Sequence, residues 1–340
     1  MAKKVLISGY IGYSNFGDDV IFAILTRHLK AKGFDITALS SNPQKTKKQF
    51  KVNAVNNKNP LEIIKSIFEC DYLISGGGSL LQNATSSLSL LYYLLIIIFA
   101  KLMFKKVIIF AQGIGPIYGS FWNKLTRFAI SLCDFVTVRD SESYKLLGKW
   151  KIKSRYVADP AWDIPILPRE SRGYVGVQLR SFSNMHPDFI KLLVKYIGIY
   201  FSDRRIILFS LQNSHDLQMC YLFEKTLKSQ WPQMKYEIRS ENTIKSVVEG
   251  FSNLDFLFAM RFHACLLGLK YGTKVFALSY DPKVENLARE FELQSIDVSK
   301  KPDDYNDKFR KFIQFKEHKE ITEKRKTAFD WSAIDKFMLG

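Results

Sequence analysis

"RFHACLLGLKYGTKVFALSYDPKVENLA", residues 261–288, decides the fold. It reads as an apolar helix, a strand "KVFALSYD", and a second helix opened by Pro282. The strand-like "LDFLFAM" stands just before it. Strand, turn and helix repeated at this length are the mark of parallel βαβ units. Arg261 and His263 fall at the first turn, and the "YDPK" turn with Lys283 comes one strand later.

Working outward, the same alternation fills the chain. "KKVLISGY" is strand-like, and the helical "DDVIFAILTRHLKAKG" ends at Gly33, a C-cap position. "DYLISGGG" and "KKVIIFAQGIGP" each run from strand into turn. "DFVTVRDSESYKLLG" is strand, N-cap at Asp140 or Ser141, and a helix closed by Gly148. "ADPAWDIPILPRESRG" holds three prolines without periodicity and reads as a linker. The pattern then restarts with "YVGVQLR", "PDFIKLLVKYIGIYF" and "RRIILFSLQ". The expectation is an α/β protein of two doubly wound, Rossmann-like domains facing across a cleft. Their bounds are 1–165 and 171–300. A charged helical segment, 301–340, is expected to pack back on the first domain.

In open parallel sheets ligands gather at the C-terminal ends of strands, and the unusual residues fall there. "GYIGYSNFGDD" places Asn15, Gly17 and Asp18 between the first strand and helix, where free backbone N–H groups can hold an anion. The spacing matches neither the dinucleotide fingerprint nor a Walker loop. Asp18 or Asp19 also suits a helix start on dipole grounds alone. Gly76, Gly77 and Gly78 allow a close approach of ligand or of a packed helix. "AQGIGPI" contributes Gln112. Arg139, Arg180 and Arg261 each end a strand, positions from which a guanidinium can grip a carboxylate or phosphate with two parallel bonds. His263 begins a helix, which depresses its pKa until an anion binds.

Composition sets the frame. There are 340 residues, 47% hydrophobic and 24% charged, with 50 basic and 33 acidic side chains and a net charge of +17. Such a balance favours anionic partners. Nucleic acid is disfavoured, because the aromatics follow helix periodicity and form no stacking platform. The four cysteines are scattered and suggest neither zinc nor disulfides, in keeping with a reducing cytoplasm. "MAKKVLISGY" runs straight into a strand-like segment and lacks the h-region and cleavage site expected of a signal peptide. GxSxG, HExxH and DxD patterns are missing, and no metal is expected. Leu88 to Phe104 is almost continuously apolar but too short to span a bilayer. It reads as a buried or half-buried helix. Its other reading is a helix resting on a membrane, with Lys101, Lys105 and Lys106 toward lipid phosphates.

Together these motifs resemble the polysaccharide pyruvyl transferases, most closely the bacterial cell-wall branch. "GYIGYSNFGDDVIF", "ISGGGSLLQNATSSLSLLYY", "AQGIGPI", "TVRDSES", "VADPAW" and "MRFHACLLGLKYGTKVFALSYDPKV" occur in the family's order, over about Lys4 to Leu293. "FGDD" departs by an aspartate where glutamate is commoner. The resemblance implies a glycosyltransferase-B-like fold, with the acceptor side in the first domain and the donor side in the second. It implies phosphoenolpyruvate as co-substrate with no cofactor, a sugar diol acceptor often linked to a lipid diphosphate, and a cyclic pyruvate ketal as product. It implies donor-binding or catalytic roles for Arg261, His263 and Arg139. On this reading His263 is the general acid, Asp18 accepts a proton from a sugar hydroxyl, and Lys283 contacts phosphate. The enzyme would work in the cytoplasm, with peripheral contact at the inner face of the membrane. The competing expectation is a glycosyltransferase of the same fold using a nucleotide sugar.

Overall fold

The computed structural model of the chain describes residues 2–241, 243–300, 305–314 and 329–340. It divides into two units, Met1–Ile164 with Ala328–Gly340, and Pro165–Thr327.

The first unit is built on seven parallel strands: β1 (Lys4–Ser8), β2 (Asp35–Ser40), β3 (Asn53–Asn56), β4 (Tyr72–Ser75), β5 (Lys106–Gln112), β6 (Phe135–Val138) and β7 (Arg155–Tyr156). Their order is β3-β2-β1-β4-β5-β6-β7. The central strands are rich in Val, Ile and Leu and buried along almost their whole length, as expected of a sheet covered on both faces. The covering helices are α1 (Phe16–Ala31), α2 (Pro43–Phe50), α3 (Pro60–Glu69), α4 (Ser87–Leu102), α5 (Ser120–Ser131) and α6 (Ser141–Lys149). Ile67 of α3, Leu94 and Ile97 of α4, and Ala129 and Ile130 of α5 share one core, so these three helices lie on one face. On α1 rests the turn Pro160–Asp163.

The second unit holds six parallel strands: β8 (Tyr174–Gln178), β9 (Ile206–Phe209), β10 (Tyr236–Arg239), β11 (Leu254–Ala259), β12 (Lys274–Ser279) and β13 (Ser295–Asp297). Their order is β10-β9-β8-β11-β12-β13. The helices are α7 (Phe189–Phe201), α8 (Asn213–Gln230), α9 (Ile244–Phe251), α10 (Phe262–Tyr271), α11 (Pro282–Glu290) and α12 (Tyr305–Gln314). The chain is thus an α/β protein with two Rossmann-like halves, the expected class.

Two local readings change. The charged segment 301–340 is not one piece. Phe309 and Phe312 of α12 enter the second unit's core, with Phe309 5.1 Å from Phe258 and 5.2 Å from Phe276. The last helix, α13 (Ser332–Leu339), belongs to the first unit. There Asp335 meets His28 at 2.7 Å, and Tyr72 donates to the Met338 carbonyl at 2.9 Å. Residues 315–328 lie outside the described ones. The proline-rich stretch is also not all linker, because its Asp159 is buried within the first unit.

Candidate functional site

In each sheet the connection reverses direction next to the first strand, between β1 and β4 and between β8 and β11. Such reversals open a crevice at the strands' C-terminal ends.

In the second unit that end carries a fully buried carboxylate, Asp216 of α8. Arg261 follows β11 and grips it with two bonds, Nε to Oδ2 at 2.8 Å and Nη2 to Oδ1 at 2.5 Å. The backbone N–H groups of Leu211 and Gln212 donate to the same carboxylate at 2.9 and 3.0 Å, and Gln178 Nε2 adds a bond at 3.2 Å. Arg261 Nη2 also reaches Gln212 Oε1 at 3.1 Å, while Gln178 Oε1 accepts from the Arg261 backbone N–H at 2.8 Å. The guanidinium expected to hold a donor anion is therefore committed to Asp216 and only 9% exposed. These bonds tie the start of α10 to α8 and β8.

Arg180, at the end of β8, is differently placed. Its Nη1 donates to the Tyr280 hydroxyl at 2.8 Å and its guanidinium lies 5.2 Å from the Tyr280 ring. Its Nε is buried with no hydrogen-bond partner. An unsatisfied guanidinium N–H is costly in a protein interior, and an incoming anion offsets that cost. His215 lies close by in charge terms. Burial lowers its pKa most, the positive fields of Arg180 and Arg261 lower it further, and Asp216 opposes them. His263 is half-buried in the first turn of α10, its ring edge-on to Phe262 at 5.1 Å. Lys283 is half-buried at the start of α11, which Asp281 caps by accepting from the Lys283 N–H at 2.8 Å. The second unit thus carries Arg180, His215, Tyr280, His263 and Lys283 on the turns that follow β8, β9, β11 and β12.

In the first unit the glycine turns pack against protein. A Cβ on Gly77 would sit 2.6 Å from Ile21, and one on Gly78, whose φ is +98°, would sit 2.6 Å from Asp18 Oδ1. Gly76 is buried against the Ser8 carbonyl. The room beside Gly77 and Gly78 is taken by Ile21 and Asp18 of α1, and that beside Gly76 by β1. Gln112 is fully buried and turned inward, donating to Ser75 Oγ at 2.7 Å and the Gly76 carbonyl at 2.8 Å. It ties β5 to β4, and its Oε1 is buried without a hydrogen-bond partner. Asn15 is the N-cap of α1, accepting from the Gly17 N–H at 3.1 Å. Arg139 pairs with Asp159 at 2.6 Å and donates to Ser79 Oγ at 3.2 Å.

The first unit carries further features the sequence did not single out. Tyr10 and Tyr13 stack with centroids 4.1 Å apart and 9° between planes. Asn57 Oδ1, Ser8 Oγ and Tyr92 OH are buried without hydrogen-bond partners. Asp19 is 6% exposed, and its pKa is pushed up to about 7, by burial first and then by Asp18, with Lys45 opposing. Adjacent acidic residues are a signal in the sequence, but which of the two turns inward is set by the helix's packing. Among the described residues no group of three or more His, Cys, Asp or Glu is arranged to hold a metal ion.

The two parallel-sheet halves define the fold class, a two-Rossmann α/β architecture. Solved structures of similar fold include a glycosyltransferase from Rickettsia africae, with 13% identity, TM-score 0.59, and 96% of this chain and 92% of that one covered. A UDP-GlcNAc 2-epimerase from Methanocaldococcus jannaschii has 13% identity and TM-score 0.61, with 97% and 95% covered. A sucrose-phosphate synthase from Thermosynechococcus elongatus has 10% identity and TM-score 0.62, with 99% and 97% covered. At such identities the likeness is one of fold. No curated protein matches the sequence. The family model for polysaccharide pyruvyl transferase matches residues 15–282, and the chain belongs to that family. It is a transferase, and membership implies a sugar acceptor and a phosphoenolpyruvate donor.

Proposed function

We propose that the protein moves the enolpyruvyl group of phosphoenolpyruvate onto two hydroxyls of one sugar in a cell-surface polysaccharide precursor, forming a cyclic pyruvate ketal and releasing phosphate. The observation that carries this reading is the buried, unpartnered Nε of Arg180 beside Tyr280, a guanidinium edge that an anionic donor satisfies. His263 and Lys283 stand on neighbouring turns of the same unit.

The chemistry needs a proton at the methylene carbon of the donor. Its arrival builds positive charge at the adjacent carbon, a sugar hydroxyl attacks there, and phosphate departs as the C–O bond breaks. The second hydroxyl then closes the ring. We assign His263 as the proton donor, Arg180 and Lys283 as contacts to the donor's anionic groups, and Arg261 as the residue that fixes the start of α10. Arg139 is kept as a donor-binding candidate, oriented by Asp159. Asp18 is assigned to accept a proton from a sugar hydroxyl, and the stacked Tyr10 and Tyr13 suit an apolar sugar face. Phosphoenolpyruvate is the co-substrate, without a cofactor or metal. The acceptor is taken to be linked to a lipid diphosphate, the enzyme cytoplasmic and peripheral at the inner membrane face, and nucleic acid no partner.

The test incubates the full chain with phosphoenolpyruvate and candidate sugar acceptors, without nucleotide, and follows phosphate release and ketal formation by mass spectrometry. His263→Ala is expected to lower kcat by roughly 10²–10⁴-fold with KM for phosphoenolpyruvate nearly unchanged. Normal turnover by His263→Ala removes the site assignment. The second reading, a nucleotide-sugar glycosyltransferase, is supported by the fold neighbours alone. Sugar transfer from a nucleotide sugar, with phosphoenolpyruvate inert, would replace the first reading with it.

A further inference from the structure

The outer face of the α3–α4–α5 layer is apolar where an exposed helical face is expected to be polar. On α4, Leu90, Leu94 and Ile97 are buried in the core, yet Leu88, Leu95 and Leu102, spaced seven apart on the opposite side, are 78%, 54% and 67% exposed. Phe104, just past the helix, is 94% exposed and held at φ 57°, a conformation that favours glycine. On α3 the exposed stripe is Leu61, Ile64 and Phe68, and on α5 it is Phe121 and Phe128. Lys105 joins two of these stripes, donating to the Phe68 carbonyl at 2.7 Å with its ammonium 5.7 Å from the Phe68 ring. Patches of large exposed side chains on this scale mark interaction sites.

Charge identifies the occupant. α4 and α5 contain no acidic residue, and Lys124, Arg127 and Lys105 supply the cations here, while Lys101 is paired with Asp134 and the Lys106 ammonium lies over the Tyr72 and Phe337 rings. The acidic groups nearby are consumed locally. Glu62 accepts from the Asn56 N–H and from Asn59, Glu69 pairs with Lys65, and Asp134 pairs with Lys101 while accepting from the Val107 N–H. An apolar face rimmed by cations suits anionic lipid headgroups over acyl chains. A second copy is disfavoured, because a two-fold interface would set like charges against each other. No described helix is long and apolar enough to cross a membrane.

We propose that the α3–α4–α5 face docks flat on an anionic phospholipid bilayer, with the α4 leucines and Phe104 entering the headgroup boundary and Lys105, Lys124 and Arg127 contacting phosphates. The inference rests on the reading of the acceptor as lipid-linked, and it places that acceptor's membrane against the first unit.

The test is flotation of the full chain with vesicles of phosphatidylglycerol and phosphatidylcholine, or of phosphatidylcholine alone. The protein is expected to float with the anionic vesicles only, and less as salt rises. Leu95→Ser/Leu102→Ser/Phe104→Asn, all at exposed positions, should lower the bound fraction at least tenfold while pyruvyl transfer to a short water-soluble acceptor stays unchanged. Lys124→Glu/Arg127→Glu should weaken binding and its salt dependence. Failure of the wild-type chain to float, or equal flotation of the triple variant, overturns the proposal. So does self-association in the ultracentrifuge that the triple variant abolishes without vesicle binding. Flotation with no pyruvyl transfer to any acceptor leaves docking in place and removes the proposed function instead.

Discussion

The two units each end a strand with an arginine paired to a carboxylate; both pairs are buried, and they differ in where they stand in their sheets. In the second, Asp216 gathers Arg261, two backbone N–H groups and Gln178 around one fully buried carboxylate. In the first, Arg139 Nη1 donates to Asp159 at 2.6 Å and the Ala161 N–H donates to the other carboxylate oxygen at 2.8 Å. The richer cradle stands at the reversal point between β8 and β11, while Arg139 lies at the end of β6, away from the reversal in its sheet. The difference teaches that a strand-end arginine need not be the anion contact. It can be the post that fixes the turn on which the anion contacts stand.

Removing each carboxylate measures that difference. Asp216→Ala takes the shared carboxylate from a buried guanidinium, two amide N–H groups and a glutamine, and is expected to cost about 3–5 kcal/mol. Asp159→Ala takes the carboxylate from the Arg139 guanidinium, still bonded to Ser79, and from the Ala161 N–H, and is expected to cost about 2–3 kcal/mol. Urea unfolding of the two variants gives both values. Equal losses would mean that the extra donors on Asp216 contribute nothing, and the contrast between the units would collapse.

Both sheets were legible from the alternation of β-branched strands and helices, because parallel strands buried on two faces leave unbroken apolar runs. The positions of Arg139, Arg180, Arg261 and His263 at strand ends followed from that alternation. Their partners did not. Asp216 looks like any acid in the first turn of a helix, and nothing in "NSHDLQ" announces a contact with an arginine on a later strand. Three consecutive glycines looked like a ligand loop because sequence cannot say which side chain fills the space they leave. That space belongs to Asp18 and Ile21. The apolar run at 88–104 was ambiguous for a physical reason. Its helix is apolar on both sides, and only the structure shows which side is covered.

Asp19 extends the comparison to a buried carboxyl that has no arginine beside it. Burial and Asp18 raise its pKa from 3.8 to about 7. Between those values the folded state holds a proton that the unfolded chain has released, so stability falls as pH rises from about 4 to 7 and stays low above. Asp19→Asn removes the ionisation and is expected to stabilise the protein by roughly 2–4 kcal/mol at pH 8, with little effect at pH 4. Thermal unfolding across that range reads the difference. An unchanged midpoint at pH 8 would show that Asp19 is well solvated or paired, and would remove the contrast with Asp216.

The smallest effect belongs to His215, which senses the second unit's cations without being gripped by them. Burial and the fields of Arg180 and Arg261 hold its pKa below the usual histidine value, so it is neutral at pH 7. An anion bound at Arg180 offsets those fields and raises the pKa, so donor binding draws in a proton. Affinity for phosphoenolpyruvate should therefore weaken as pH rises through the histidine range. His215→Ala should remove a slope of roughly threefold in KM while leaving kcat close to wild type. The donor's own phosphate titrates in both proteins, so the difference between wild type and variant isolates the imidazole. Parallel profiles would place the donor away from Arg180 and return the anion-binding role to the arginine of the first unit.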